Sequence, residues 1–203
     1  MQSLATEAAE VIRSGGIVLH PSDTVYGLAC NAGSAEAVRA IALLKQRPAD
    51  MPYIVLCKNV GALRMLVRLQ SVETDAIVAL FVGEPVTMIL PSSENAHVEI
   101  TGCGPTIAVR VPHHPFTNAM CAAAAVPLLS TSANVHGTKT PYSLLDMDQQ
   151  ILTGADVVID GGVLAGAPST ILDLTGPYAW IVREGVVSRD EIVRRIGTLA
   201  EVK

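Results

Sequence analysis

Residues 53–57, Tyr-Ile-Val-Leu-Cys, form a continuous apolar run, too short for a helix and without the alternation of a strand that has one wet face. Such a segment needs cover on both sides, which points to a central strand in a sheet flanked by helices. Ile17-Val18-Leu19-His20 and Val86 to Leu90 read as further strands. Around them, apolar residues recur at helical spacing in Ser3 to Arg13, Ser34 to Leu44, Val60 to Arg68 and Val72 to Phe81. Half of the residues are hydrophobic but only 3% are aromatic, so the core must be built from Val, Ile, Leu and Ala. No repeat or linker splits the 203 residues, and the chain reads as one α/β domain spanning 1–203.

The net charge of -5 argues against binding nucleic acid by bulk electrostatics, so any anion site must be local. Cys30, Cys57, Cys103 and Cys121 show no metal-ligand spacing and read as reduced core residues. The amino terminus lacks a basic start followed by an apolar block, and the run from Ala119 to Leu129 falls short of the ~20 residues of a membrane span. A soluble, cytoplasmic protein with no membrane contact is the expectation.

Against this background the polar clusters stand out. Lys45 and Arg47 follow the helix that begins at Ser34, and Pro48 stops it. If the segment before the proline is extended, the two cations project to one side and can grip one anion; the alternative is a helix-end pair that complements the dipole. Ser22, Asp23, Thr24 and Tyr26 lie beyond the carboxyl end of a strand, where α/β sheets collect ligands, although Pro, Ser and Asp also build plain turns. Thr106, Ala108 and Arg110 share one face of a strand, and a buried arginine there needs an anion, either a ligand or an internal carboxylate.

Ser130, Ser132 and Asn134 form a row of hydrogen-bonding groups if Pro127 to Asn134 stays extended; otherwise they satisfy their own turn. Pro91 to Gly104 reads as a long surface loop or lid. A helix is expected from Ser143 to about Leu152, a strand from Asp156 to Asp160, and a hairpin of Ser169–Leu174 with Ala179–Arg183, followed by a helix from Ser188 to Ile196. His113 and His114 do not make a metal site. Gly-rich phosphate loops, nucleophile elbows and paired-cysteine metal motifs are absent from the sequence. The four cations Lys45, Arg47, Arg110 and Arg183, with hydroxyl and amide donors, suggest an anion-binding cleft that works by positioning and charge neutralisation.

Taken in order, GGIVLHPSDTVYGLAC, AVRAIALLKQRP, PTIAVRVPHHP, LLSTSAN, PSTILDLT and IVREGVVS resemble the YrdC-type threonylcarbamoyl-AMP synthase family from about Gly15 to Ser188. The resemblance implies a twisted mixed sheet flanked by helices, with a deep concave cleft. It also implies formation of threonylcarbamoyl-adenylate and pyrophosphate from L-threonine, bicarbonate and ATP with Mg2+. A separate transferase complex would then pass the group to adenosine 37 of tRNA, with transient contact to that complex and to tRNA. By the same resemblance Lys45, Arg47, Ser132 and Asn134 hold the nucleotide phosphates, with Lys45 and Arg47 in the catalytic role. Thr106, Ser130, Thr140 and Arg183 match further nucleotide positions, and Thr24, Arg110 and Ser169 match threonine positions.

Leu56 stands where many relatives carry a histidine, His136-Gly137 replaces a Ser-Gly step, and the chain resembles the short bacterial form. The alternatives are a paralogue of the same fold that binds RNA or nucleotide without making the adenylate, a double-stranded RNA-binding module, and a carbamoyl transferase of hydrogenase maturation. The four-residue phosphate set argues against the first, the acidic charge against the second, and the chain length against the third.

Overall fold

The computed structural model describes residues 1–48, 51, 53–96, 104–164 and 166–203. Among them, nine strands join one mixed sheet. In chain order these are β1 (Val18–His20), β2 (Gly27–Asn31), β3 (Ile54–Leu56), β4 (Val86–Pro91), β5 (Thr106–Arg110), β6 (Leu128–Ser132), β7 (Val157–Val158), β8 (Thr170–Asp173) and β9 (Trp180–Arg183). Side by side they run β7-β1-β2-β6-β3-β5-β4-β8-β9. The apolar run at 53–57 supplies β3, in the middle of the sheet, parallel to β5 and antiparallel to β6.

The helices are α1 (Gln2–Arg13), α2 (Ala35–Leu44), α3 (Val60–Leu66), α4 (Val72–Leu80), α5 (Pro115–Ala124), α6 (Gln149–Gly154) and α7 (Arg189–Ile196). Paired residues share a face of the sheet and alternate along each strand, so the register sorts the core. One face carries Leu28, Leu129, Val55, Val109, Met88 and Leu172, which pack with Ile41 of α2, Leu63 of α3, Val78 of α4 and Ile192 of α7. Each such aliphatic side chain, once buried, contributes about 1.5–3 kcal/mol.

On the opposite face, Val18, Ala29, Leu128 and Leu56 meet α1 and α5, through Ala5, Ala8, Ala9 and Ile12 of one and Phe116, Met120, Cys121 and Ala124 of the other. Four alanines on the buried sides of these two helices let them lie close together. They leave uncovered the part of this face that bears Ile54, Ala108, Arg110, Ile89 and Ser130, and a cavity opens there.

The departures from the sequence reading are local. The apolar Gly-Leu-Ala-Cys that follows Tyr26 forms β2, which returns antiparallel beside β1 and pairs β6 on its other side. The helix expected from Ser143 is a 3-10 turn, Leu144–Asp146, followed by α6, because Met147 is extended and Asp148 caps a new start through Gln150 N. Only Val157–Val158 of the expected five-residue span Asp156 to Asp160 are strand. The β8–β9 hairpin forms, with a register shift at Ile171/Leu172. Of the expected 91–104 loop, residues 97–103, Cys103 included, lie outside the described residues; Cys30, Cys57 and Cys121 are free and buried.

Candidate active site

The cavity, about 460 Å³, is lined by Arg47, Ser130, Thr131, Ser132 and Thr140 together with Thr24, Arg110, Ser169 and Arg183. Eight of the residues singled out in the sequence therefore face one space, although they come from segments spread between positions 24 and 183. Gly27 forms part of its floor. A Cβ there would lie 3.0 Å from His20 Nε2 and 3.2 Å from Ser130 Oγ, so a side chain would close the floor against both.

Arg110 projects from the carboxyl end of β5, as the alternation with Thr106 and Ala108 predicted, and is 6% exposed. Its Nη2 donates to Asp23 Oδ2 at 2.6 Å and its Nη1 to Thr24 Oγ1 at 3.3 Å. The internal carboxylate is thus present, and it comes from the turn after β1. Burial lowers the Arg110 pKa, and the neighbouring Asp23 charge opposes that. Pairing is not complete: Arg110 Nε and Asp23 Oδ1 are buried without a hydrogen-bond partner.

Arg183, at the end of β9, donates from Nη2 and Nε to the carbonyl oxygen of Ser169, at 2.9 and 3.3 Å. Ser169 Oγ is 2.9 Å from Thr87 Oγ1. Arg183 lies close enough to Arg110 that the second cation, after burial, lowers its pKa. The chain reaches this packing because Gly185 lets the end of β9 ride over 168–170: a Cβ there would fall 2.2 Å from Pro168 O. Two guanidinium groups thus face one cavity, held by the Asp23 carboxylate, the Thr24 hydroxyl and the Ser169 carbonyl.

The Lys45–Arg47 segment corrects the sequence reading. It is not extended. Lys45 keeps helical geometry as the C-cap of α2, Gln46 turns left-handed at φ 52, and Arg47 N donates back to Ala42 O at 2.9 Å with Gln46 N on Leu43 O at 3.0 Å. This is a Schellman closure of the helix, made here without glycine. It sends the two side chains to different destinations. Lys45 is 2% exposed, and its Nζ donates to the carbonyls of Ser132 and, at 2.6 Å, Asn134. Burial, and then the charge of Arg47, lowers its pKa to about 8. Arg47 instead reaches the cavity, stacked 4.4 Å from the centroid of the Tyr53 ring, with Nη1 3.4 Å from Thr131 Oγ1.

Asn134 also departs from expectation. The strand ends at Ser132, and Asn134 turns into its own loop, accepting from Ser132 Oγ at 2.6 Å and donating to Val135 O at 2.9 Å and Thr138 O at 2.8 Å. Lys45, Asn134 and Thr106 do not line the cavity; Thr106 sits at the far end of β5 from Arg110. Leu56 and Ile54 give it an apolar wall.

Sequence reasoning treated His20 only as the end of a strand. It lies 1% exposed on the cavity face, with Nδ1 3.0 Å from Pro21 O, and burial lowers its pKa to about 4. The available signal was a polar residue in register with Val18 in an otherwise apolar strand.

The fold is thus a mixed α/β sheet with a cavity that three arginines, Arg47, Arg110 and Arg183, line beside the hydroxyl-bearing strand β6. The family model Sua5_yciO_yrdC, described as "Telomere recombination", matches residues 10–185, and the chain belongs to that family. It is 34% identical over 193 residues to a protein of Pyrococcus abyssi named threonylcarbamoyl-AMP synthase, covering 95% of this chain but 57% of that protein. A protein of the same name from Pseudoalteromonas translucida is 32% identical, with 85% of this chain and 94% of that one covered. The structure of P. abyssi Sua5 complexed with L-threonine superimposes with a TM-score of 0.92 at 32% identity, covering all of this chain and 60% of the other. The chain thus spans little more than half the length of the archaeal relative and nearly all of the bacterial one.

Proposed function

We propose that this chain is an L-threonylcarbamoyladenylate synthase, forming the adenylate and pyrophosphate from L-threonine, bicarbonate and ATP. The observation that carries the reading is the single cavity that brings Arg47, Arg110 and Arg183 together around a row of hydroxyls. Two relatives that share about a third of its residues bear that name, and the structure of P. abyssi Sua5 is a complex with L-threonine, which supports the substrate.

In this reading the threonine amine takes up carbon dioxide from bicarbonate to give a carbamate, and water is released. A carbamate oxygen then attacks the α-phosphorus of ATP, the bond to the bridging oxygen breaks, and pyrophosphate leaves with that electron pair. Arg47, Ser130, Ser132, Thr140 and Arg183 hold the nucleotide, with Arg47 offsetting charge on the departing pyrophosphate. Thr24, Arg110 and Ser169 hold threonine. Lys45 and Asn134 act behind the cavity by fixing the loop that presents Ser132, and Thr106 serves the nucleotide end from the start of β5.

Among the described residues no group of three or more His, Cys, Asp or Glu could hold a metal ion. Magnesium enters with the triphosphate, as part of the substrate. The mixed anhydride product is reactive, which fits delivery to a transferase that acts on adenosine 37 of tRNA, in the cytoplasm. Among the described residues no helix is long and apolar enough to cross a membrane.

The test is pyrophosphate release by the purified chain supplied with ATP, bicarbonate and magnesium. Release that requires L-threonine and drops about 10²–10³-fold in Arg47→Ala is expected. Release that ignores threonine, or none, overturns the proposal. The withdrawal of Lys45 into carbonyl contacts favours, as second reading, a nucleotide-binding paralogue without synthesis; nucleotide binding with no pyrophosphate release is its result.

A further inference from the structure

Arg47 reaches the cavity by an indirect route. Its helix, α2, covers the other face of the sheet, where Ile41 packs among Leu28, Val55 and Leu129. After the left-handed Gln46 no strand periodicity aims the side chain, yet it has to pass from the helix-covered face to the cavity wall. Thr131 and Tyr53 stand on that route. Thr131 pairs with Leu28 near the end of β6, and Tyr53 immediately precedes β3, two residues before Val55, so both belong to the helix-covered face.

The two supports are unequal. Thr131 Oγ1 is 3.4 Å from Arg47 Nη1, long for an N–H···O bond. The centroid of the Tyr53 ring lies 4.4 Å from Arg47 Cζ, well inside the ~6 Å over which a ring face attracts a cation. Support is needed because Lys45 is buried within reach of the same charge, and the repulsion adds to burial in lowering the Lys45 pKa. Burial lowers the Arg47 pKa too, and Tyr53 opposes that shift. A ring also holds a guanidinium by its flat face and takes none of the five N–H donors, which lie in the guanidinium plane. Arg110, by contrast, gives donors to Asp23 and Thr24.

Tyr53 itself is 1% exposed, does not line the cavity, and buries its hydroxyl without a hydrogen-bond partner among the described residues. A buried hydroxyl left unpaired is a cost, so what this position gains is the ring.

We propose that Tyr53 is the positioning residue for Arg47: the face of its ring holds the guanidinium aimed into the cavity, with its donors turned to the phosphates of the nucleotide. This rests on the proposed function, which puts Arg47 on the nucleotide, and deepens it by naming what aims that cation. Because Tyr53 is outside the cavity lining, a change there acts on the ligand only through Arg47.

ATP affinity measured calorimetrically with magnesium tests this on the wild-type chain, Tyr53→Leu, Tyr53→Phe, Arg47→Ala and the double variant Tyr53→Leu/Arg47→Ala, with L-threonine affinity as the control. Tyr53→Leu should weaken ATP binding roughly 2- to 30-fold, the span of a cation–π contact, and leave threonine binding unchanged. Tyr53→Phe, which keeps the ring, should restore the wild-type affinity. In the Arg47→Ala background Tyr53→Leu should cost nothing further, since the two changes remove one interaction. In the wild-type chain, proton NMR should place the Arg47 side-chain signals upfield of their positions in the unfolded chain, through the ring current of Tyr53, a readout that needs neither a variant nor turnover. A wild type that binds no ATP overturns the adenylate-forming reading and this inference with it. Arg47 signals at their unfolded positions, a Tyr53→Phe variant as weak as Tyr53→Leu, equal losses for ATP and threonine, or an undiminished loss in the Arg47→Ala background overturns the inference alone.

Discussion

The two ends of the cavity differ in how their polar atoms are satisfied. At the Lys45 end the contacts close on themselves: Lys45 Nζ on the carbonyls of Ser132 and Asn134, Ser132 Oγ on Asn134 Oδ1, Asn134 Nδ2 on Val135 and Thr138, and His136 N on Lys45 O at 2.7 Å. At the Arg110 end an ion pair is made, yet an atom of each partner and one of His20 stay unpaired. A closed network is a scaffold that holds its shape before a ligand arrives. An open one keeps its bonding capacity for the ligand, at a cost to the free protein.

The sharpest way to break this contrast is Arg110→Leu. Removing one partner of a buried pair strands the Asp23 carboxylate, and chemical denaturation should show a loss of about 3–5 kcal/mol, most of it recovered by adding Asp23→Asn. A small loss in the single variant would mean that the pair is wetter than its burial indicates.

Acid probes the same end. The His20 pKa of about 4 in the folded chain lies below the 6.5 of an unperturbed histidine, so between those values the unfolded chain binds more protons. Stability therefore falls as pH drops from 6.5 towards 4, by up to about 3 kcal/mol, and His20→Phe should flatten that part of the curve. Unfolding free energy measured across this pH window gives the answer.

At the closed end, Lys45→Met keeps the length of the side chain but strands two carbonyls. Loss of hydrogen bonds from a charged donor, partly offset by relief from burying the charge, should lower stability by about 1–2 kcal/mol and raise the KM for ATP more than that for threonine. Equal changes in both KM values would remove the distinction between the two ends. The smallest effect is expected at Gln46→Gly, which should raise stability by about 0.5–1 kcal/mol because glycine holds φ near 52 without strain; an unchanged melting temperature would show that the turn tolerates glutamine at no cost.

Much of this architecture is legible in the chain itself. The apolar run at 53–57 dictates a central strand, although one of its faces bears Ile54 and Leu56 on the wall of the cavity, and Ser34 caps α2 by accepting from Ala37 N. The period of two places Arg110 on the face of Thr106 and Ala108, and Ser130 with Ser132, because side-chain direction in a strand depends only on local geometry. The same logic failed where the chain left regular structure. One left-handed residue at Gln46 separates Lys45 from Arg47, and the end of β6 turns Asn134 away from its row; neither event has a period to betray it.

Partner choice was beyond the sequence for a different reason. Asp23 meets Arg110 across 87 positions, and Lys45 meets the Asn134 carbonyl across 89, so the contacts exist only once β1, β5 and β6 have been ordered in the sheet. The chain by itself determined a helix-covered sheet and the residue types available to an anion site. The tertiary structure decided which cation faces the cavity, which is spent on the scaffold, and that His20 lines the same cavity. Local chemistry fixes the direction of a side chain, but the surroundings it meets are set by strands that arrive from elsewhere in the chain.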